Sequence, residues 1–141
     1  MQSLVFEEAW DKTIDPHDRE KIVETFNQAN RLEKEREKFI PLWQACNHRG
    51  DLLVAVIIQN FGEALLMLKD VPLTYYEAGQ PIATQIFSDS RLRIEPKCSM
   101  PWTFIFPKAK IVQVPELKAG YMKEDFKSTQ GYNRRDEWRR Y

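Results

Sequence analysis

The run Leu52-Leu53-Val54-Ala55-Val56-Ile57-Ile58 constrains the fold more than any other part of the chain. Side chains of a strand alternate between two faces, so an unbroken apolar run leaves neither face for water. Such a strand belongs at the centre of a sheet, covered on both sides. The chain around it has the same character from Phe39 onward, where short apolar runs alternate with turn residues. Seven strands are expected, at about 40–46, 51–60, 64–69, 71–77, 81–88, 91–95 and 100–106. Asn47-His48-Arg49-Gly50, Asn60-Phe61-Gly62-Glu63, Glu77-Ala78-Gly79-Gln80 and Glu95-Pro96-Lys97 separate them.

Several of these strands alternate cleanly. Leu92 and Ile94 are expected to face inward, with Arg91, Arg93 and Glu95 outward. Trp102, Phe104 and Phe106 share one face of the last strand, Thr103 and Ile105 the other. A helix competes for 63–69, but the neighbouring β-branched and aromatic residues favour a sheet. The expected fold is mostly β: an immunoglobulin-like antiparallel β-sandwich of about seven strands, preceded by an N-terminal α-helix. The cysteine pair with an intervening tryptophan that marks antibody domains is missing, so the expectation concerns architecture alone.

The helix is announced by Asp15-Pro16-His17-Asp18. Asp15 can cap free N–H groups, Pro16 suits the first helical position, and Asp18 favours the positive end of the dipole. Ile22, Val23, Phe26, Ala29 and Leu32 then recur at spacings of three and four, marking one buried stripe. Leu4, Val5, Phe6 and Trp10 form a short apolar patch suited to packing on the sheet. The organisation expected is therefore a segment and capped helix over 1–38, a sandwich over 39–110, and a charged, aromatic C-terminal tail over 111–141.

The 21 basic and 21 acidic side chains cancel, so no global field attracts nucleic acid or anionic lipid. Their placement is uneven. Glu7, Glu8, Asp11, Asp15, Asp18, Glu20 and Glu24 crowd the start against Lys12, Arg19 and Lys21. The end reverses this, with Arg134, Arg135, Arg139 and Arg140 against Asp136 and Glu137. These opposite-signed ends could meet within the fold or between copies. Two cysteines are too few for a disulfide framework, and no apolar run reaches the ~18 residues of a membrane span. The opening residues lack the basic start and apolar stretch of a signal peptide, so a cytoplasmic protein with reduced thiols is expected.

No catalytic constellation is visible. His17 and His48 have no cysteine or histidine at ligand spacing, and a zinc site would need both of them and both cysteines to converge. Cys46 ends one strand and Cys98 opens another; a bridge between them is possible in principle, against the plainer reading of two thiols. Nothing around Cys98 supplies a base or an oxyanion site. The Asp15/Asp18 pair is explained by the helix start and Glu7/Glu8 by solvation. Phosphate loops and nucleophile elbows are absent from the sequence. No enzyme activity, metal or cofactor is expected.

The binding candidates are aromatic and cationic. Arg134, Arg135, Trp138, Arg139, Arg140 and Tyr141 mix guanidinium with rings, a combination that suits protein interfaces and single-stranded nucleic acid alike. Zero net charge favours a protein partner over nucleic acid. Trp102 belongs by its alternation to the core, but its place near a strand start beside Pro101 is expected to leave it partly exposed, as the other interface candidate. A second copy pairing through a sheet edge or the tail is a further possible partner.

Two longer runs point to a family. Leu4-Val5-Phe6-Glu7-Glu8-Ala9-Trp10-Asp11-Lys12-Thr13-Ile14-Asp15-Pro16 and Ser99-Met100-Pro101-Trp102-Thr103-Phe104-Ile105-Phe106-Pro107, with the capped helix between them, resemble the SLAP domain of Bacillus and related Firmicutes over about residues 4–110. The resemblance implies a non-enzymatic role. Some members, carrying duplicated copies, are linked to an accessory Sec system that exports and assembles surface-layer protein; this chain has room for one copy. The expectation is a protein-binding or scaffolding module connected with secretion and assembly of envelope proteins. The alternative is a nucleic-acid-associated regulator using the arginine-aromatic tail.

Overall fold

The doubly apolar strand is indeed covered on both faces. In the computed structural model, which describes residues 2–32 and 37–125, Leu52–Asn60 forms β3 of a sheet ordered β1-β8-β3-β2. Its neighbours are β1 (Ser3–Leu4), β2 (Phe39–Cys46) and β8 (Cys98–Phe106). A second sheet is ordered β6-β5-β9, from β5 (Val71–Glu77), β6 (Gln80–Phe87) and β9 (Gly120–Glu124). A two-stranded pair of β4 (Leu66–Met67) and β7 (Arg93–Ile94) completes a mostly β fold. Helices α1 (Glu8–Thr13) and α2 (Pro16–Leu32) precede β2.

The two faces of β3 explain its composition. Leu52, Val54, Val56 and Ile58 join Met100, Trp102, Phe104 and Phe106 of β8 and Leu73, Tyr75 and Ile82 of the second sheet in one core. Ile57 faces the other way and packs with Ile40 against Ile22 and Phe26 of α2. The layers run helix, sheet, core, sheet. Phe87 of β6 meets Phe104 and Phe106 edge-on, with ring centroids 4.9 and 5.2 Å apart. The inward alternation expected at Leu92 and Ile94 is present, both being buried.

Asp15 accepts from the His17 amide at 2.7 Å and Pro16 opens α2, as its N-terminal signals require. The buried stripe is narrower than its spacing suggested: Ile22 and Phe26 are buried, but Val23 is exposed. Helix α1 was not apparent from the sequence. Its cap is Glu7, whose carboxylate accepts from the Ala9 and Trp10 amides, a role usually taken by shorter side chains.

The strand expectations need four corrections. Nine strands are present among the described residues, because β1 and β9 add to the seven. The first sheet is not wholly antiparallel, since β1 runs parallel to β8 through Ser3↔Cys98 and Leu4↔Ser99. The segment from 111 onward, expected as tail, returns as β9 and pairs along β5 from Leu73↔Glu124 to Glu77↔Gly120. The expected strands at 64–69 and 91–95 shrink to the two-residue β4 and β7.

Turn chemistry holds the ends of the strands. β5 and β6 are joined by Ala78-Gly79, both at positive φ (51° and 77°), the two-residue turn that matches strand twist. At the β2–β3 turn, Asp51 accepts from the Lys108 amide at 2.9 Å and from Asn47 and Arg49, tying the 3-10 turn Lys108–Lys110 to the sheet. The Lys108 amide, then Asn47 and Arg49, hold its carboxyl below the usual carboxylate range. A depressed folded pKa gives stability that is present above the unfolded value near 3.9 and lost as pH falls through the folded one. As pH falls through that lowered value, therefore, the amide of Lys108 is expected to lose protection from hydrogen exchange in the native protein but to change no further in Asp51→Asn, which protection factors measured by NMR would check.

The two cysteines are both free, Cys46 exposed and Cys98 partly buried. Cys46 lies beside Leu52 and Cys98 beside Asn60, at opposite ends of β3. Eight residue steps separate those positions, about 26 Å at strand rise, far beyond disulfide reach.

Candidate functional site

Two sheet edges approach each other across a groove of about 820 Å³. One wall is the outer edge of β2, the other that of β9. Neither edge is paired with a further strand among the described residues. Pro41 lies on the β2 edge, where its missing N–H leaves no ladder bond unmade, and the register shifts between Pro41 and Trp43. A bulge and a proline blunt β2 as a pairing template. The β9 edge has neither.

The floor of the groove is apolar and its rim charged. Phe39 and Met122 line it and are buried in the core. Glu37, Lys38, Lys123, Glu124 and Asp125 supply both signs around them. Lys38 Nζ lies 2.6 Å from Glu124 Oε1, joining the two sheets, in a pair partly shielded from solvent. Tyr76 and Tyr121, cross-strand partners, stack on the outer side with centroids 5.3 Å apart and planes 9° from parallel. Such a surface offers backbone edges, aromatic area and balanced charge. It suits an extended polypeptide better than a polyphosphate, which would need clustered cations.

The β9 wall is held by one buried carboxylate. Glu77, buried at the end of β5, accepts from Tyr75 Oη at 2.7 Å and from the amides of Glu116 and Leu117 at 2.8 and 3.0 Å. Burial, then the hydrogen bond to Glu77, pushes the Tyr75 phenol far above its ordinary pKa, so it stays a donor. Leu117 and Ala119 both sit at positive φ (62° and 53°), a turn that non-glycine residues adopt only when something holds it. The two amides that Glu77 receives come from this turn. Directly after it, Gly120 passes so close to Tyr75 that a Cβ would stand 2.0 Å from the phenol oxygen.

Gly120→Ala is therefore expected to cost about 1–3 kcal/mol, measured by urea unfolding. The Tyr121 side-chain signals should shift with it, because β9 must back away from β5.

A second polar cluster ties down the N-terminus. Ser99 Oγ donates to Gln2 Oε1 at 2.9 Å and lies 3.2 Å from Gln59 Oε1, all three residues being buried. Gln2 also donates to the Asn60 carbonyl, and Asn60 bonds Ala64, Ile94 and Gly62. Every member is partnered, so the cluster fixes register and offers no open chemistry.

Of the interface candidates, Trp102 differs from expectation. It is only 7% exposed. β1 ends at Leu4, and α1 then covers the neighbouring edge of β8, so Trp10 stacks on Trp102 at 6.4 Å while the Arg91 guanidinium lies 4.9 Å from its ring. Trp10 comes from a segment remote in sequence, Arg91 from the stretch shortly before β8. Arg134, Arg135, Trp138, Arg139, Arg140 and Tyr141 lie outside the described residues. Among the described residues, no group of three or more His, Cys, Asp or Glu side chains could hold a metal ion, and no helix is long and apolar enough to cross a membrane.

Fold and groove together define the class: a mostly β module, helix-covered on one sheet, with an edge-lined cleft between its two larger sheets. Residues 4–126 match the family model of the SLAP domain, and the chain belongs to that family. No curated protein and no solved structure matches it.

Proposed function

We propose that this chain is a non-enzymatic protein-binding module that takes an extended segment of its partner into the groove between β2 and β9. The single observation behind this reading is the juxtaposition of two sheet edges over an apolar floor, with neither proline nor register shift in β9. A partner strand added to β9 would gain main-chain hydrogen bonds, while Phe39, Met122 and the tyrosine pair would select its side chains. The name of the family model supports a partner in the accessory Sec system or in surface-layer assembly. The module acts on its client in the cytoplasm, before export, consistent with two unbridged thiols. Its two larger sheets, enclosing one core, support reading the architecture as a sandwich of the immunoglobulin kind.

The test is affinity capture from native extract with the intact chain and with Tyr121→Glu, a change at a 37% exposed ring that leaves the core untouched. The intact chain is expected to recover secretion or envelope components, and the variant about tenfold less, the factor that 1.4 kcal/mol brings. Equal capture by both, or recovery of nucleic acid in place of protein, overturns the reading.

A further inference from the structure

The backbone of β9 decides what can lie against it. In an antiparallel pair the N–H and C=O of one residue point toward the neighbouring strand and those of the next point away. The Asp125 amide donates to the Pro72 carbonyl at 2.9 Å, and the β5–β9 register then runs without a shift to Glu77↔Gly120. The main-chain groups of Tyr121 and Lys123 therefore face β5, and those of Met122 and Glu124 face the groove. On the opposite wall the Gln59 amide donates to the Lys38 carbonyl at 2.8 Å, which by the same alternation turns the main-chain groups of Phe39 and Pro41 outward. Proline has no N–H to give. Along the groove, β9 thus presents the donors of both Met122 and Glu124, where β2 presents that of Phe39.

From this pattern we infer the chemistry of the segment that the groove takes. It is an extended, acidic and apolar stretch pairing antiparallel with β9, with an apolar residue opposite Met122 and a carboxylate opposite Lys123. This ligand class rests on the groove reading above and narrows it.

Each position follows from the side-chain alternation of β9. Met122 is buried and lines the groove floor with Phe39. A residue paired with Met122 carries its side chain on the same face, so it lies over that floor and is apolar. Lys123 belongs to the other face and is exposed. Because Met122 would form the hydrogen-bonded pair, Lys123 and the residue opposite it form the other kind, in which side chains come closest. The two cations of the rim differ in what they already hold. Lys38 is engaged with Glu124, whereas the Lys123 ammonium has no ion-pair or hydrogen-bond partner among the described residues. Asp125, on the same face as Lys123, lies beyond the end of β9. A carboxylate is therefore the charge that this ladder accepts, and a cation opposite Lys123 is repelled. The stacked Tyr76 and Tyr121 extend the same face, where a β-branched or aromatic residue completes the pairing.

The probes are three short peptides in which valine alternates with threonine: the parent, one with its central threonine replaced by glutamate, and one with lysine there. NMR titration of the full chain reports both the place of binding and its affinity. In the free chain the amides of Met122 and Glu124 are expected to exchange with solvent faster than those of Tyr121 and Lys123, and to slow once peptide is bound. The glutamate peptide is expected to bind about fivefold more tightly than the lysine peptide, the upper range for a cross-strand charge pair. Lys123→Glu is expected to reverse that order. Shifts at β9 with equal affinities for the three peptides, or an order that Lys123→Glu leaves unchanged, overturn the proposed ligand class and leave the groove reading standing. Shifts at other strands only, or none with any peptide, overturn both.

Discussion

Glu77→Ala is expected to lower stability by about 2–4 kcal/mol. The carboxylate receives three donors: the Tyr75 hydroxyl and the amides of Glu116 and Leu117. Removing it leaves a fully buried phenol with no acceptor and two turn amides without theirs. An orphan that water cannot reach, as the Tyr75 hydroxyl would be, costs about 1–3 kcal/mol, and the amides of the exposed Glu116 and Leu117 cost less because solvent can take the place of the carboxylate. The turn at Leu117 and Ala119, already at positive φ, loses what holds it. β9 follows that turn directly, so its amides should gain hydrogen exchange well beyond the global change. Glu77→Gln keeps one acceptor oxygen but turns a donor toward donors, and an intermediate loss is expected. Urea unfolding of the three proteins decides the matter. A loss below about 1 kcal/mol for the alanine variant would mean that solvent already shares the carboxylate.

Trp102→Ala is expected to cost about 3–5 kcal/mol, the range for a buried ring replaced by a methyl group. The expectation that this tryptophan is partly exposed rested on its place beside Pro101 near a strand start. The ring is instead enclosed by the core, by Trp10 and by Arg91. Because Trp10 stacks on it, Trp10→Ala and Trp102→Ala should be non-additive, with the double variant less damaging than their sum. Thermal unfolding at matched pH provides the comparison. Full stability in Trp102→Ala would show that α1 does not cover the strand in solution.

Where the sequence was legible, the information was local. Period-two alternation at Leu92 and Ile94, the turn at Ala78-Gly79 and the start at Asp15-Pro16 each depend on residues within one turn or one pleat. A signal for the buried carboxylate was also there: Leu73, Tyr75 and Glu77 share the inward face of one strand, and a charge on such a face calls for partners. Its partners at 116 and 117 are some 40 residues away, and nothing local names them.

The groove was not legible at all. Its β9 wall comes from a stretch as polar as a tail, Gly120-Tyr121-Met122-Lys123-Glu124. A five-residue edge strand with one buried apolar side chain has little pattern of its own. It becomes a strand because β5 offers it a ladder and because Gly120 alone lets it pass Tyr75.

By itself the sequence determined that β3 must be covered on both faces, that a capped helix precedes the sheets, and that the chain resembles the SLAP domain. Burial of contiguous apolar residues, helix capping and alternation all act within a few residues, so one dimension contains them. Only the tertiary structure decided which edges meet. It set β2 against β9 across the groove and laid Trp10 over Trp102. Edge exposure and ring burial depend on which distant segments fold back, and those contacts are made between residues that carry no mark of one another in the chain.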